Sequence, residues 1–167
     1  MKETIDRSYL EIKSIEDLIE SNFHEHHCSV NLLKPDNFQI NKFFYKNVGK
    51  KHQWKDRLVW SENEWIKYSS NPKVETHIMK VNNDLAGYYE LILHFDLQEI
   101  EIAYLGLLED YHNKKLGGYL LSNAIKKSFE KKIKRVWVHT CTLDHENALK
   151  NYLARGMKIY KKETIKI

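Results

Sequence analysis

The feature of the sequence that most restricts the fold is a predicted strand that leads through a basic, glycine-containing loop into a predicted helix. Residues 100–107, IEIAYLGL, have the composition of a strand, and residues 113–132 carry apolar side chains at helical spacing. The loop between them contains two adjacent lysines and then two adjacent glycines, in a chain that has only 6 glycines. A strand, a loop and a helix in this order favour a fold in which helices cover a sheet.

The start of this predicted helix is suited to binding an anion. A helix N-terminus exposes unpaired N–H groups and carries a partial positive charge. Glycine lets the backbone approach a phosphate closely, and Lys114 and Lys115 add positive charge. The alternative is a tight turn with solvated lysines, and the loop alone leaves both interpretations open.

The other segments alternate between strands and helices. Ser61 and Glu64 form a capping-box pattern for one helix, Asp36 or Asn37 can cap another, and Gly156 can end a helix over residues 146–155. This order predicts an α/β fold around one mixed sheet. The predicted strands are residues 9–12, 29–33, 74–81, 85–95, 100–107, 136–141 and 157–167.

Composition narrows the classes of function. The formal net charge of +4 is consistent with an anionic ligand and too small to indicate nucleic-acid binding. The basic clusters at residues 126–127, 131–132 and 134–135 could form a nucleic-acid patch, but with this net charge we expect a solvated helix face. The 2 cysteines are far apart, the first residues lack an apolar signal segment, and no run approaches 18 apolar residues. We expect a cytoplasmic protein with neither a nucleic-acid nor a membrane partner.

The segment HEHHC at residues 24–28 contains residue types that bind zinc. Nothing else in the sequence supplies a matching second pair of ligands. Adjacent residues on a strand also point to opposite faces of the sheet. We expect a polar surface segment there and predict no metal.

The strand, loop and helix at residues 101–121, EIAYLGLLEDYHNKKLGGYLL, resemble the cofactor-binding segment of the GNAT superfamily, the Gcn5-related N-acetyltransferases. The family pattern is Arg/Gln-x-x-Gly-x-Gly/Ala at the start of a helix. His112 stands at the Arg/Gln position, Lys115 at the first glycine and Gly117 at the second, so only the last is a strict match.

A second motif, ALKNYLARGMKIY, resembles the C-terminal family pattern Ala-x-x-x-Tyr-x-x-x-Gly-Phe. Ala148, Tyr152 and Gly156 match, and Met157 replaces the usual Phe. The resemblance covers about residues 74–160, and the chain is also similar to a bacterial subgroup with the pattern EIAY-GLL…GLGGYLL…RVWVHTCTLDH. The first 70 residues fit only loosely.

The resemblance implies a single domain over residues 1–167, with an acceptor-side half at 1–73 and a cofactor-binding half at 74–160. Its mixed, mostly antiparallel sheet would splay between the family's fourth and fifth strands, here residues 100–107 and 136–141. The implied activity is direct transfer of an acetyl group from acetyl-CoA to an amine of a small molecule or peptide. A CoA-binding sensor or interaction protein with little or no activity is the alternative, and a homodimer is compatible with the family.

The resemblance also implies the position of acetyl-CoA. The pyrophosphate would bind the backbone amides of residues 112–118, and the pantetheine would pair with residues 105–107. A backbone N–H near Leu105 would stabilise the thioester oxyanion. The implied cofactor-binding residues are Leu105, Gly106, Leu107, His112, Asn113, Lys114, Lys115, Leu116, Gly117 and Gly118.

Acetyl transfer to an amine needs a proton acceptor, and the departing thiolate can take a proton from an acid. Glu101 matches the base of histone-type family members; Glu99, a water relay or no dedicated base are the alternatives. Tyr152 matches a tyrosine that acts as the acid in many members, with aromatic packing as its alternative.

The acceptor would bind beside the first helices, where the sequence is rich in tryptophan. Trp54, Trp60 and Trp65 occur close to Arg57, and they can form an aromatic, partly basic wall, although we expect core packing for at least two of the three. Near the predicted strand 136–141, three further residues can line the cleft, although packing is the expectation for each: His139, Cys141 and His145.

Overall fold

The computed structural model describes residues 2–23 and 27–167, which contain seven strands and four α-helices. The strands are β1 (Thr4–Ile12), β2 (Cys28–Leu32), β3 (Val74–Val81), β4 (Asp84–His94), β5 (Glu99–Leu107), β6 (Arg135–Cys141) and β7 (Lys158–Lys166). The helices are α1 (Phe38–Gly49), α2 (Glu62–Ser69), α3 (Leu116–Phe129) and α4 (Ala148–Ala154).

All seven strands form one sheet in the order β2-β3-β4-β5-β6-β1-β7. Only β5 and β6 pair in parallel; every other neighbouring pair is antiparallel. The predicted fold class, a mixed and mostly antiparallel sheet flanked by helices, is confirmed. The strand β1 lies between β6 and β7, so the start of the chain forms part of the sheet built by its second half.

The sheet opens between β5 and β6. These strands pair only from Glu99 opposite Arg135 to Glu101 opposite Trp137, and the described structure has no pair between them beyond this point. At the closed end, Arg135 donates a 2.8 Å hydrogen bond to Glu99. A register shift against β4 leaves Ala103 as an extra residue, and such a bulge bends the strand. The predicted splay is therefore present.

The bulge also changes which face of the sheet the residues of β5 cover. Ile100 and Ile102 belong to the larger core, together with Leu120 and Ile125 of α3. On the opposite face, Tyr104 packs on the smaller core under α1. Residues of β5 therefore contact α3 on one face of the sheet and the layer of α1 on the other. Both helical layers thus lie next to the opening.

The boundaries of several elements differ from the predictions. The helix α3 begins at Leu116 rather than at residue 113, because Asn113 and Lys115 both have a φ of 61°, in the left-handed region. The first strand begins earlier than predicted, at Thr4. Asn37 caps α1, and the capping box of Ser61 is confirmed.

Candidate active site

A cavity of about 1250 Å³ lies at the opening of the sheet. Its lining comes from both faces: Leu116 and Tyr152 belong to the layer of α3 and α4, whereas Tyr45 and Trp54 belong to the layer of α1. Pockets for one small ligand typically measure about 300–1,000 Å³. The cavity is therefore large enough for two substrates that meet in the opening.

At one end of the cavity, the N-terminus of α3 is free of a side-chain cap. Lys115 is the N-cap residue, but its side chain accepts no hydrogen bond from the helix. A Cβ added at Gly117 would lie no closer than 3.6 Å to any other group, and that group is Nδ2 of Asn151. Asn151 donates a 3.0 Å hydrogen bond to the carbonyl of Gly117 and so ties α4 to the start of α3. The uncapped N–H groups fit a phosphate.

The residues predicted to bind the cofactor are brought together here, with one exception. The side chain of Lys114 does not line the cavity, and its Nζ lies 5.7 Å from the ring centre of Tyr111 instead. The predicted residues that do line it are Leu105, Gly106, Leu107, His112, Asn113, Lys115, Leu116, Gly117 and Gly118.

The second glycine of the loop has a packing role that the sequence did not reveal. A Cβ at Gly118 would lie 2.6 Å from a terminal guanidinium nitrogen of Arg155 and 3.1 Å from Oγ of Ser21. The buried Nε of Arg155 has no hydrogen-bond partner in the described residues. Gly118 thus allows a cation to pack against the first turn of α3.

Three histidines form a cluster across the mouth of the cavity: His52, His112 and His145. The ring centres of His112 and His145 are 5.0 Å apart, and those of His52 and His145 are 6.0 Å apart. Nε2 of His112 lies 3.0 Å from the carbonyl oxygen of Leu107, which identifies that nitrogen as the N–H donor. Burial and then the two neighbouring imidazoles lower the pKa of His145. Of this cluster, the sequence motifs pointed to His112 and His145 but not to His52.

Tyr152 of α4 lies in the wall of the cavity. It is 7% exposed, and its hydroxyl has no hydrogen-bond partner among the described residues. Burial, and to a smaller extent the charge of Asp144, raises the pKa of the Tyr152 phenol well above its usual range. The phenol therefore remains a proton donor throughout the neutral range.

The structure separates the two carboxylates that the sequence left as alternative bases. Glu101 lines the cavity, and its Oε1 lies 3.0 Å from Nε2 of His94. Glu99 does not line the cavity, since its carboxylate binds Arg135 at the closed end of the two strands.

His139 and Cys141 also line the cavity, on the face of the sheet that α1 covers. His139 is exposed there, and its ring centre lies 5.6 Å from that of Tyr9. The surrounding walls lower the pKa of His139 by desolvation, and the charge of Arg7 lowers it further.

The α1 end of the cavity has an aromatic wall, formed by Tyr45, Trp54 and Tyr104. The ring centres of Trp54 and Tyr104 are 4.7 Å apart, and those of Tyr45 and Tyr104 are 5.3 Å apart. Of the three tryptophans singled out above, only Trp54 lines the cavity. Trp65 is buried, and Trp60 packs against it with ring centres 5.0 Å apart.

The other features considered from the sequence add no described residue to this site. The predicted polar segment HEHHC falls mainly on residues 24–26, outside the described residues. Elsewhere in the described chain, no group of three or more His, Cys, Asp or Glu residues is arranged to hold a metal. Lys126, Lys127 and Lys131 pair with glutamates, as expected for a solvated helix face. No helix in the described residues is long and apolar enough to cross a membrane.

The fold and the site define an α/β protein in which an uncapped helix start lies beside an opening in the sheet. A model of the acetyltransferase (GNAT) family matches residues 32–157. The chain belongs to the GNAT acetyltransferase family. No curated protein matches the chain.

Solved structures share the fold at low sequence identity. The chain is similar to a GCN5-related N-acetyltransferase from Kribbella flavida, at 12% identity and a TM-score of 0.69, covering 96% of this chain and 57% of that one. A GCN5-related N-acetyltransferase from Sphaerobacter thermophilus has 10% identity and a TM-score of 0.73, and the match covers 98% of this chain and 52% of that one. An aminoglycoside acetyltransferase from an uncultured soil metagenomic sample has 12% identity and a TM-score of 0.65, and the match covers 78% of this chain and 88% of that one. The chain spans little more than half the length of the first two.

Proposed function

We propose that the chain is an acetyl-CoA-dependent N-acetyltransferase that moves an acetyl group directly to an amine of a small molecule or peptide. The observation that carries this proposal is the single cavity that joins the uncapped start of α3 to the aromatic wall through the opening of the sheet. Direct transfer requires both substrates to be bound at once, and the cavity has the room for this. Membership of the GNAT family supports the reaction class.

The residues at the α3 end are suited to hold acetyl-CoA, which supplies its acetyl group as a thioester. The free N–H groups at the start of α3 would bind the pyrophosphate, and Lys115 and Arg155 add positive charge beside them. The unpaired edge of β5 at residues 105–107 would bind the pantetheine, and a backbone N–H near Leu105 would stabilise the oxyanion.

Tyr152 and Glu101, which both line the cavity, are the proposed acid and base. Tyr152 would protonate the departing sulfur, because its phenol lies in the cavity wall and keeps its proton. The acceptor nitrogen must lose a proton, which would leave towards the carboxylate of Glu101, directly or through an intervening group. Glu101 takes this role rather than Glu99 because only Glu101 reaches the cavity.

The acceptor is proposed to be an amine attached to a flat apolar group, since the aromatic wall offers ring faces for such a group. We propose one domain over residues 1–167, acting in the cytoplasm without a metal, a nucleic-acid partner or a membrane, either alone or as a homodimer. Assignment to the bacterial subgroup with the pattern EIAY-GLL…GLGGYLL…RVWVHTCTLDH rests on the sequence motifs.

A non-catalytic CoA-binding protein is the second candidate, and two departures from the family pattern favour it. The ring of His112, at the position of the family's Arg/Gln, is held by the carbonyl of Leu107. Lys115, at the position of a family glycine, has a left-handed backbone. Both departures favour weaker or altered CoA binding.

Two measurements test the proposal. Calorimetry with acetyl-CoA should show binding, and a thiol-release assay should show turnover when benzylamine, tryptamine, spermidine, sisomicin and a lysine-containing peptide are offered as acceptors. Binding without thiol release for any of these amines would favour the non-catalytic candidate. The absence of binding would overturn both candidates.

A further inference from the structure

His139 and Glu101 face the same side of the sheet across the opening between β5 and β6. Glu101 is the last residue of β5 that pairs with β6, opposite Trp137. His139 follows two residues later on β6, where the strands have separated. Because side chains alternate along a strand, His139 shares a face with Trp137, and the buried Val136, Val138 and Thr140 occupy the other face.

We propose that His139 accepts the proton from the acceptor amine and that Glu101 stabilises the imidazolium that forms. This inference rests on the proposed function and names the intervening group between the amine and the Glu101 carboxylate. It makes His139 the residue that contacts the substrate and Glu101 a positioning residue that acts through it.

The accessibility of the two side chains supports this division. His139 is exposed in the cavity, and neither of its ring nitrogens has a hydrogen-bond partner in the described residues. By contrast, the side chain of Glu101 is 18% exposed, and one of its oxygens is occupied by His94. The ring of Tyr9 packs beside the imidazole, with ring centres 5.6 Å apart. An amine in the cavity therefore meets the histidine more readily than the carboxylate.

The surroundings of His139 keep its imidazole in the neutral form that a base requires. Desolvation by the cavity walls opposes protonation most, and the charge of Arg7 from β1 opposes it further. Glu101 from β5, Asp144 after β6 and Glu163 from β7 favour protonation to a smaller extent. The net result is a pKa below the usual histidine value of 6.5, so the imidazole is neutral at neutral pH.

The proposed step balances in atoms and charge. A ring nitrogen of His139 takes one proton from the ammonium group, and the freed lone pair forms a C–N bond to the acetyl carbon. The C–S bond breaks, its electron pair remains on sulfur, and Tyr152 supplies the proton that completes the CoA thiol. The second proton of the amine, the imidazolium proton of His139 and the proton needed by Tyr152 are exchanged with solvent.

The test compares two matched acceptors, benzylamine and phenylhydrazine, which have similar shapes. Benzylamine is protonated at neutral pH, whereas phenylhydrazine is mostly uncharged. His139→Gln should lower kcat/KM for benzylamine by about 10²–10⁴-fold, the usual contribution of a positioned base. It should lower kcat/KM for phenylhydrazine much less. His27→Gln, the same change at an exposed histidine outside the cavity lining, should alter neither.

The pH dependence distinguishes a relay from direct action by Glu101. In the wild type, kcat/KM should fall as the pH falls through the pKa of His139, because only the neutral ring accepts a proton. Glu101→Gln removes a charge that raises this pKa, so the fall should move to lower pH. NMR titration of the His139 imidazole in both proteins checks the same shift without turnover.

Each result decides a specific claim. An active wild type whose kcat/KM for benzylamine is unchanged by His139→Gln overturns the relay and leaves the proposed function standing. Glu101 is the direct base if kcat/KM no longer falls at acidic pH in Glu101→Gln but still falls there in His139→Gln. A His139 titration that Glu101→Gln does not shift overturns the coupling. The absence of thiol release with every amine in the wild type overturns the proposed function and, with it, the relay.

Discussion

The guanidinium of Arg57 donates a 2.9 Å hydrogen bond to the carboxylate of Glu90, which is fully buried behind the aromatic wall of the cavity. Glu90 also accepts hydrogen bonds from Asn41, at 2.9 Å, and from the hydroxyl of Tyr68, at 2.6 Å. The guanidinium carbon of Arg57 lies 4.3 Å from the ring centre of Tyr104. Arg57 lines the cavity, but its charge is already paired with Glu90, so the ion pair supports the aromatic wall rather than offering a free charge to a substrate.

Replacement of Arg57 should therefore lower stability strongly. Arg57→Met leaves the Glu90 carboxylate buried without its cation, and the loss should be about 3–5 kcal/mol in the free energy of unfolding. Urea unfolding measures it. The double variant Arg57→Met/Glu90→Leu should recover much of the loss, because no buried charge remains. A double variant as unstable as Arg57→Met would show that ring packing, not the charge, is what Arg57 contributes.

The backbone of Lys115 gives a second prediction. A non-glycine residue with a φ of 61° is strained by its Cβ, and glycine removes the strain. Lys115→Gly should raise the free energy of unfolding by about 1 kcal/mol. Lys115→Ala keeps the Cβ and the strain, so it serves as the control and should not be stabilised. Equal stability of the two variants would contradict the strain argument.

The same pair of variants tests the charge of Lys115. If the ammonium contacts a phosphate, CoA affinity should fall with salt, and Lys115→Ala should lose roughly 1–2 kcal/mol of binding. Lys115→Gly should lose less, because the backbone can then approach the phosphate. Calorimetry at two ionic strengths decides the point, and tighter CoA binding by the alanine variant would identify the lysine as an obstruction.

The sequence predicted the second half of the chain well because its signals are local. The alternating residues of β5, the helical spacing of α3 and the buried set of β6 each follow from neighbours in the chain. The position of β1 between β6 and β7 could not be predicted, since an alternating strand does not specify its partners. The pairing of Arg57 with Glu90 was missed for the same reason, because these residues lie 33 positions apart.

In the candidate site, too, the residues that belong to local motifs were predicted and those that depend on tertiary packing were not. The loop residues around Gly117 were found from a local motif, and all but Lys114 reach the cavity. Asn151 and Arg155 were missed because their link to the start of α3 depends on how α4 packs. The true helix start, at Leu116, was missed because lysine at a left-handed position gives no sequence signal, unlike glycine.

Gly117 provides a test of the phosphate site that separates binding from folding. A Cβ at this position makes only ordinary contacts, the nearest at 3.6 Å to Nδ2 of Asn151, and an acidic residue in the first turn of a helix is favourable for stability. Gly117→Asp should therefore fold with equal or higher stability and yet lose CoA affinity by at least about 10²-fold, through repulsion of the pyrophosphate. Gly117→Asn is the uncharged control of the same size and should lose less. Unchanged CoA affinity in Gly117→Asp would place the phosphate site elsewhere.

Stability should fall as the solution becomes mildly acidic. His139 and His145 both have pKa values lowered from 6.5 in the folded chain, so the unfolded chain binds protons first as the pH falls. The destabilisation begins as the pH falls through 6.5 and stops growing once the folded histidines are also protonated. The urea midpoint should thus be lower at about pH 5.5 than at about pH 7.5. His145→Gln should reduce this difference, and a variant with the full difference would show that His145 does not contribute.

The last prediction concerns Tyr152 as the acid that protonates the departing thiolate. Tyr152→Phe keeps the ring in its buried place and removes only the hydroxyl, which has no hydrogen-bond partner in the described chain. The melting temperature and the CoA affinity should therefore be nearly unchanged. A positioned acid typically contributes about 10²–10⁴-fold, and kcat should fall by less than this because a thiolate leaves readily.

The pH profile sharpens the assignment of Tyr152. The sequence alone suggests that the phenol would lose its proton in alkaline solution and so produce a fall in rate. Burial raises its pKa well above the usual value of 10, which moves that fall out of the accessible range. The wild type and Tyr152→Phe should therefore have alkaline limbs of the same shape and differ only in height. A variant with the full kcat would make Tyr152 a packing residue. A wild-type rate that falls steeply near pH 10, with no such fall in Tyr152→Phe, would show that the phenol titrates in the open cavity.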